Sequence, residues 1–153
     1  MMSLKDQTPD CNIGFLLQDV ARLMRREFNR RVTDLELTQA QWRALSLMWR
    51  KPGMRQCDLA DTLEMQPISV GRLLDRLQAA GWVDRKADPK DRRATQLYLT
   101  ERAEPILSKL RQHGADTRAA ALTGVSEKER QMFFDVLTRM RANLAGEEGG
   151  CAT

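Results

Sequence analysis

Gln66, Ser69, Arg72 and Arg76 share one side of a helical pattern, and Arg85, Lys86, Arg92 and Arg93 follow within twenty residues. These side chains are hydrogen-bond donors and cations. They suit base edges and phosphate oxygens, which are read by groups that donate and carry positive charge. The residue types that break covalent bonds are sparse. His113 is the one histidine, and no GxGxxG or GxxxxGK[ST] loop occurs. A hydrolase or transferase would need a nucleophile with a positioned base, a metal cluster or a phosphate cradle. No enzyme activity and no cofactor are therefore expected. Cys11, Cys57 and Cys151 are odd in number and far apart, with neither CxxC nor Cys/His ligand spacing. They build neither a disulfide framework nor a metal site.

The elements that must position these groups lie between Gln56 and Thr100. Leu59, Ala60 and Leu63 mark one face of a first short helix, and Glu64, Met65 and Gln66 form a turn. Pro67 then takes the first position of a second helix, where a missing N–H costs nothing. Val70, Leu73, Leu74 and Leu77 form its buried stripe, and Gly81 supplies a left-handed stop. Two short helices so closely joined are a helix-turn-helix signature. The second helix turns Gln66, Ser69, Arg72, Asp75 and Arg76 away from the core, with Ser69 and Gly71 small enough for close backbone approach. Taken alone, this is equally an ordinary amphipathic surface helix.

The next segment favours nucleic acid. Trp82 and Val83 start a strand, and Thr95, Leu97 and Leu99 alternate with Gln96 and Tyr98 in a second. Between them runs Arg85-Lys86-Ala87-Asp88-Pro89-Lys90-Asp91-Arg92-Arg93, a charged hairpin with Asp-Pro turn chemistry. Such a ribbon beside a helix-turn-helix is a wing. Arg92 and Arg93 can reach phosphates or a narrow minor groove, and Asp88 and Asp91 are expected to orient them. Arg85 and Lys86 are assigned to flanking phosphates, and Gln66, Pro67, Ser69, Arg72 and Arg76 to the major groove. A winged helix used for protein contact would instead present an apolar recognition face.

At 153 residues the chain holds one domain with a real core. Hydrophobic residues make up 42% and charged residues 30%, as in a soluble globular protein. No run approaches the roughly 20 apolar residues of a membrane span, and the first ten residues lack a signal peptide's apolar core. A cytoplasmic, nucleoid-associated location is expected, with no membrane partner. The net charge of +4 is mild, but Arg50 to Thr95 carries ten basic against seven acidic residues. Most of the excess lies where phosphate binding would need it.

Asn12 is the expected N-cap of a long first helix reaching about Asp34, with an apolar stripe from Ile13 to Val32. Thr38 and Gln41 form a capping box for a second helix that Lys51-Pro52-Gly53 ends at Arg50. Met54 and Arg55 are expected to form a short strand of the wing sheet. Thr100 is the expected cap of a fifth helix to about Ala121, bent by Pro105 in its second turn. Ser126 and Glu129 form a capping box for a sixth, carrying Met132, Phe133, Val136, Leu137, Met140 and Leu144.

The wing segment Asp91-Arg92-Arg93 through Leu99-Thr100, with the helix from Gln66 to Leu77, strongly resembles the MarR family of winged-helix regulators. Glu36-Leu37-Thr38-Gln39 with Trp42, and Thr100-Glu101-Arg102-Ala103-Glu104-Pro105, resemble its SlyA-like branch. The resemblance covers roughly residues 12–144 and is most specific in the wing. It implies a mainly α fold with a small β-wing, a winged helix-turn-helix domain with an all-helical dimerisation region. The implied layout is a disordered N-terminus at 1–11, dimerisation helices at 12–34 and 101–144, a DNA-binding lobe at 38–100 and a disordered tail at 145–153. A homodimer would place two recognition helices about 34 Å apart on a pseudo-palindromic duplex. The long first helix, whose apolar face exceeds what one small domain covers, agrees with that.

The family usually represses transcription and releases DNA when a small aromatic or phenolic anion binds between the two regions. At matching positions Trp42 is the implied aromatic wall and Arg25 the implied carboxylate anchor. Some members instead sense peroxides through a cysteine near the start of the first helix. Here the comparable position is Gly14, and Cys11 lies earlier with no tyrosine nearby. Redox sensing is the alternative kept beside ligand response, and Cys57 is expected to be packed.

Overall fold

The computed structural model describes backbone from Pro9 to Gly146. Most of the terminal segments expected to be disordered, with Cys151, lie outside the described residues. Six helices and one hairpin follow in the order α1 (Pro9–Arg31), α2 (Gln39–Arg50), α3 (Gln56–Leu63), α4 (Pro67–Ala79), β1 (Val83–Asp88), β2 (Asp91–Leu99), α5 (Glu104–Ala121) and α6 (Glu127–Ala145). The mainly α fold with a β-wing is therefore observed.

Several local expectations hold for the stated reasons. Thr38 and Gln41 exchange both capping-box bonds at α2, as do Ser126 and Glu129 at α6. Proline opens α4, and Gly81 takes φ 80° just beyond its end. The α3–α4 turn begins at Glu64, itself left-handed at φ 54°. Arg55 makes a single bridge to Gln96, so the predicted short strand exists in minimal form.

Three boundaries differ. The first helix begins at Pro9, ahead of Asn12, because a proline in the first turn lacks only an N–H that would be orphaned there anyway. It ends at Arg31, and Thr33–Leu35 form a 3₁₀ turn. Thr100 does not cap α5 with its side chain: its hydroxyl donates to the Gly81 carbonyl, and a 3₁₀ turn over Glu101–Ala103 leads into the helix. Pro105 thus falls in the first turn of α5, where it removes no helical hydrogen bond.

One core joins α2, α3, α4, the hairpin and the near parts of α1 and α5. Leu45, Met48, Leu59, Leu74, Leu77 and Leu97 are fully enclosed, with Val32, Val70 and Val83. Within the described residues α6 buries nothing. Arg130 ties it to the end of α5 by donating to the carbonyls of Leu122 and Val125. Its Phe133 and Phe134, and Phe15, Leu16 and Val20 of α1, stay exposed in the single chain. No described helix is long and apolar enough to cross a membrane.

Candidate nucleic-acid interface and adjoining cleft

Helix α4 buries Val70, Leu73, Leu74 and Leu77 and leaves Gln66, Pro67, Ser69, Arg72 and Arg76 exposed. The apolar stripe dictates this split, since residues three and four apart share a face. Ile68 is exposed too, at 67%. Sequence reasoning passed over it. Its signal was its position outside the buried stripe, between two residues already assigned outward. An exposed aliphatic group among polar ones suits a thymine methyl.

The hairpin projects from the same lobe. Its strands pair antiparallel from Val83 opposite Leu99 to Ala87 opposite Thr95, with an irregularity at Asp88. Arg92 and Arg93 are exposed beside the turn, and the Arg93 amide donates to Asp91 Oδ1 at 3.0 Å. Asp91 therefore sets the backbone there, as expected of a residue orienting the arginines. Asp88 does not. It is buried, accepts from the Lys90 amide at 2.9 Å and from the Arg55 guanidinium at 2.9 and 3.2 Å. The Lys90 N–H, then Arg55, hold its carboxyl below the usual carboxylate range. The same pair raises Arg55. The hairpin tip is thus tied to the segment entering α3.

Arg85 also differs from expectation. Its guanidinium turns inward, donating to the Gly71 carbonyl at 3.3 Å and pairing with Asp75, both on α4. Its Nε is buried without a partner. Arg85 braces the recognition helix against the wing and is not extended toward flanking phosphate. Lys86 is exposed, its ammonium 5.0 Å from the Tyr98 ring. A charge run read along a chain does not reveal which member folds back, because that depends on the helix packed beside it.

Cys57 is exposed, contrary to the expected packing. It sits in the first turn of α3, outside the Leu59, Ala60 and Leu63 stripe. It lines a hollow of about 370 Å³ with Arg55, Pro67 and Arg93. Among the described residues no group of three or more His, Cys, Asp or Glu gathers as a metal site.

Arg25 and Trp42 do come together. Both line a cleft of about 470 Å³ between α1, α2 and α5. Trp42 lies against Phe28, ring centroids 4.4 Å apart, and its indole N–H donates to Asn29 Oδ1 at 2.5 Å. Asn29 in turn donates to Gln39 Oε1 at 3.0 Å, so the Trp42 ring is held from two helices. Arg43, Trp49, Arg50, Arg111 and Arg118 line it too, with the hydroxyl-bearing Ser46, Thr62 and Thr117.

A helix-turn-helix with a cationic outer face and an arginine-bearing wing defines a DNA-binding winged-helix protein. Known proteins agree. The MarR family model matches residues 37–95. A MarR family regulator from Silicibacter pomeroyi is 26% identical over 96% of this chain and 99% of its own, with TM-score 0.79. The transcriptional regulator PA3341 is 35% identical, with 86% and 97% covered and TM-score 0.75. The regulator SlyA is 25% identical, with 88% and 94% covered and TM-score 0.71, so that branch does not stand apart from the others. The chain belongs to the MarR family of transcriptional regulators.

Proposed function

We propose that the protein is a homodimeric, sequence-specific regulator that represses transcription from pseudo-palindromic duplex DNA and releases it when a small aromatic or phenolic anion binds. The outward set on α4 carries this reading. Gln66, Pro67, Ser69, Arg72 and Arg76 enter the major groove, with Ile68 against a thymine methyl. Arg92 and Arg93 serve the minor groove or its phosphates, and Lys86 a neighbouring phosphate. The exposed apolar faces of α1 and α6 support dimerisation, since patches of this kind on a soluble chain mark contact surfaces. Dimerisation makes the DNA site two-fold and doubles the contacts.

The cleft lined by Arg25 and Trp42 supports an effector site. It lies where α1 and α5 meet α2 of the DNA-binding lobe, so a ligand there can bias the spacing of two recognition helices. It does so only by binding the DNA-incompetent spacing more tightly than the competent one. Fluorescence anisotropy on the protein's own upstream DNA, across several salt concentrations, tests the proposal. Nanomolar, salt-sensitive binding unmatched by scrambled DNA is expected, with loss on adding salicylate. Equal binding to scrambled DNA would refute sequence-specific regulation, and indifference to aromatic acids would refute the effector.

A further inference from the structure

We infer that the cleft takes an elongated aromatic dianion, with one anionic group at each end. This inference rests on the effector reading and concerns the chemistry of that ligand. The cleft has two like ends. Trp42 and Trp49 are seven residues apart on α2, nearly two turns, hence on one face and about 10 Å apart along the axis. Arg111 and Arg118 bear the same relation on α5. The Arg111 guanidinium lies 5.6 Å from the Trp49 ring. At the other end a β-carbon on Gly114 would meet Arg118 Nη1 at 3.3 Å and Phe28 Cε2 at 3.8 Å, and Phe28 rests on Trp42. The two helices therefore line the cleft in opposite directions, and each end pairs an aromatic ring with a guanidinium.

The charge is unbalanced. Five arginines and no carboxylate line the cleft. Arg111 is partly compensated by Glu104. Arg25, Arg43, Arg50 and Arg118 make no ion pair among the described residues. A monocarboxylate at Arg25 and Trp42 would leave the Trp49 end, with Arg50, uncompensated. An aromatic ring beside a guanidinium at each end, Trp49 with Arg111 and Phe28 with Arg118, fits a flat apolar body that carries an anion at each end. A β-carbon at Gly114 would crowd only the Arg118 guanidinium, at 3.3 Å, and would make ordinary contact with Phe28 at 3.8 Å.

Calorimetric titration of the full chain at fixed ionic strength tests this, with three probes sharing one aromatic skeleton. Biphenyl-4,4′-dicarboxylate should bind roughly tenfold more tightly than biphenyl-4-carboxylate, the gain of one further charge-assisted contact. Biphenyl-2,2′-dicarboxylate has the same charge gathered in the middle and should gain nothing. Arg50→Gln and Arg118→Gln, both at exposed positions, should each bring the 4,4′ acid down to the monoacid's affinity. Equal affinity of the 4,4′ acid and the monoacid overturns the inference and leaves the effector reading standing, as does equal affinity of the two diacids. Failure of every acid to bind overturns the effector reading as well.

Discussion

Replacing Arg85 by methionine separates a brace from a phosphate contact. Methionine keeps most of the apolar stem and removes the guanidinium. Three terms set the cost. The partner Asp75 carboxylate is 68% exposed, so that pair contributes only about 0.2–1 kcal/mol. The long bond to the Gly71 carbonyl adds about 0.5–1.5 kcal/mol. The unpartnered Nε loses nothing when removed. The expected loss is therefore roughly 1–2 kcal/mol, or about 2–8 °C in melting temperature for a chain of this size. DNA affinity should also fall, because α4 loses its link to the wing. The slope of log K against log salt should stay unchanged, since no phosphate contact is removed. Thermal melting and salt-dependent anisotropy on one preparation read both quantities. A slope reduced by about one per lost contact, with melting unchanged, would refute the brace and restore Arg85 to the phosphate backbone.

Arg93→Ala should behave the opposite way, weakening binding to all sequences and lowering the salt slope by about one, with stability unchanged. An unaltered slope would remove the wing from the interface. Gly53→Ala should destabilise by more than 1 kcal/mol, as φ is +78° and the new β-carbon would lie 2.9 Å from the Tyr98 hydroxyl. Urea titration measures it, and a neutral result would show that Tyr98 swings aside without cost. Asp88 contributes stability that is present above its unfolded pKa, about 3.9, and lost as pH falls through its lower folded value. Melting temperature should therefore fall more steeply with acid in the native protein than in Asp88→Asn below about pH 4. Parallel profiles would mean that the Arg55 pair and the Lys90 amide add nothing.

Local rules carried much of this protein in its sequence. The two capping boxes, the proline opening α4 and the glycine ending it are written in residues adjacent in the chain, so spacing alone specifies them. The apolar stripe of α4 likewise specified which side chains point outward, because a helix has only one period. What neighbouring chain could not specify is which charge meets which. Asp88 found Arg55, 33 residues away, and Arg85 found Asp75 and Gly71 on another element. Both pairings exist only once the hairpin lies against α3 and α4, and they turn Arg85, assigned to phosphate, and Asp88, expected to orient the wing arginines, into internal ties. The cleft between α1, α2 and α5 divides the same way. Arg25 and Trp42 were legible by resemblance, whereas the matched ends around Trp49, Arg50, Arg111 and Arg118 required two helices to be laid antiparallel. Periodicity fixes the face of a single element; the partner of that face is decided by packing, where burial and charge are settled between residues distant in the chain.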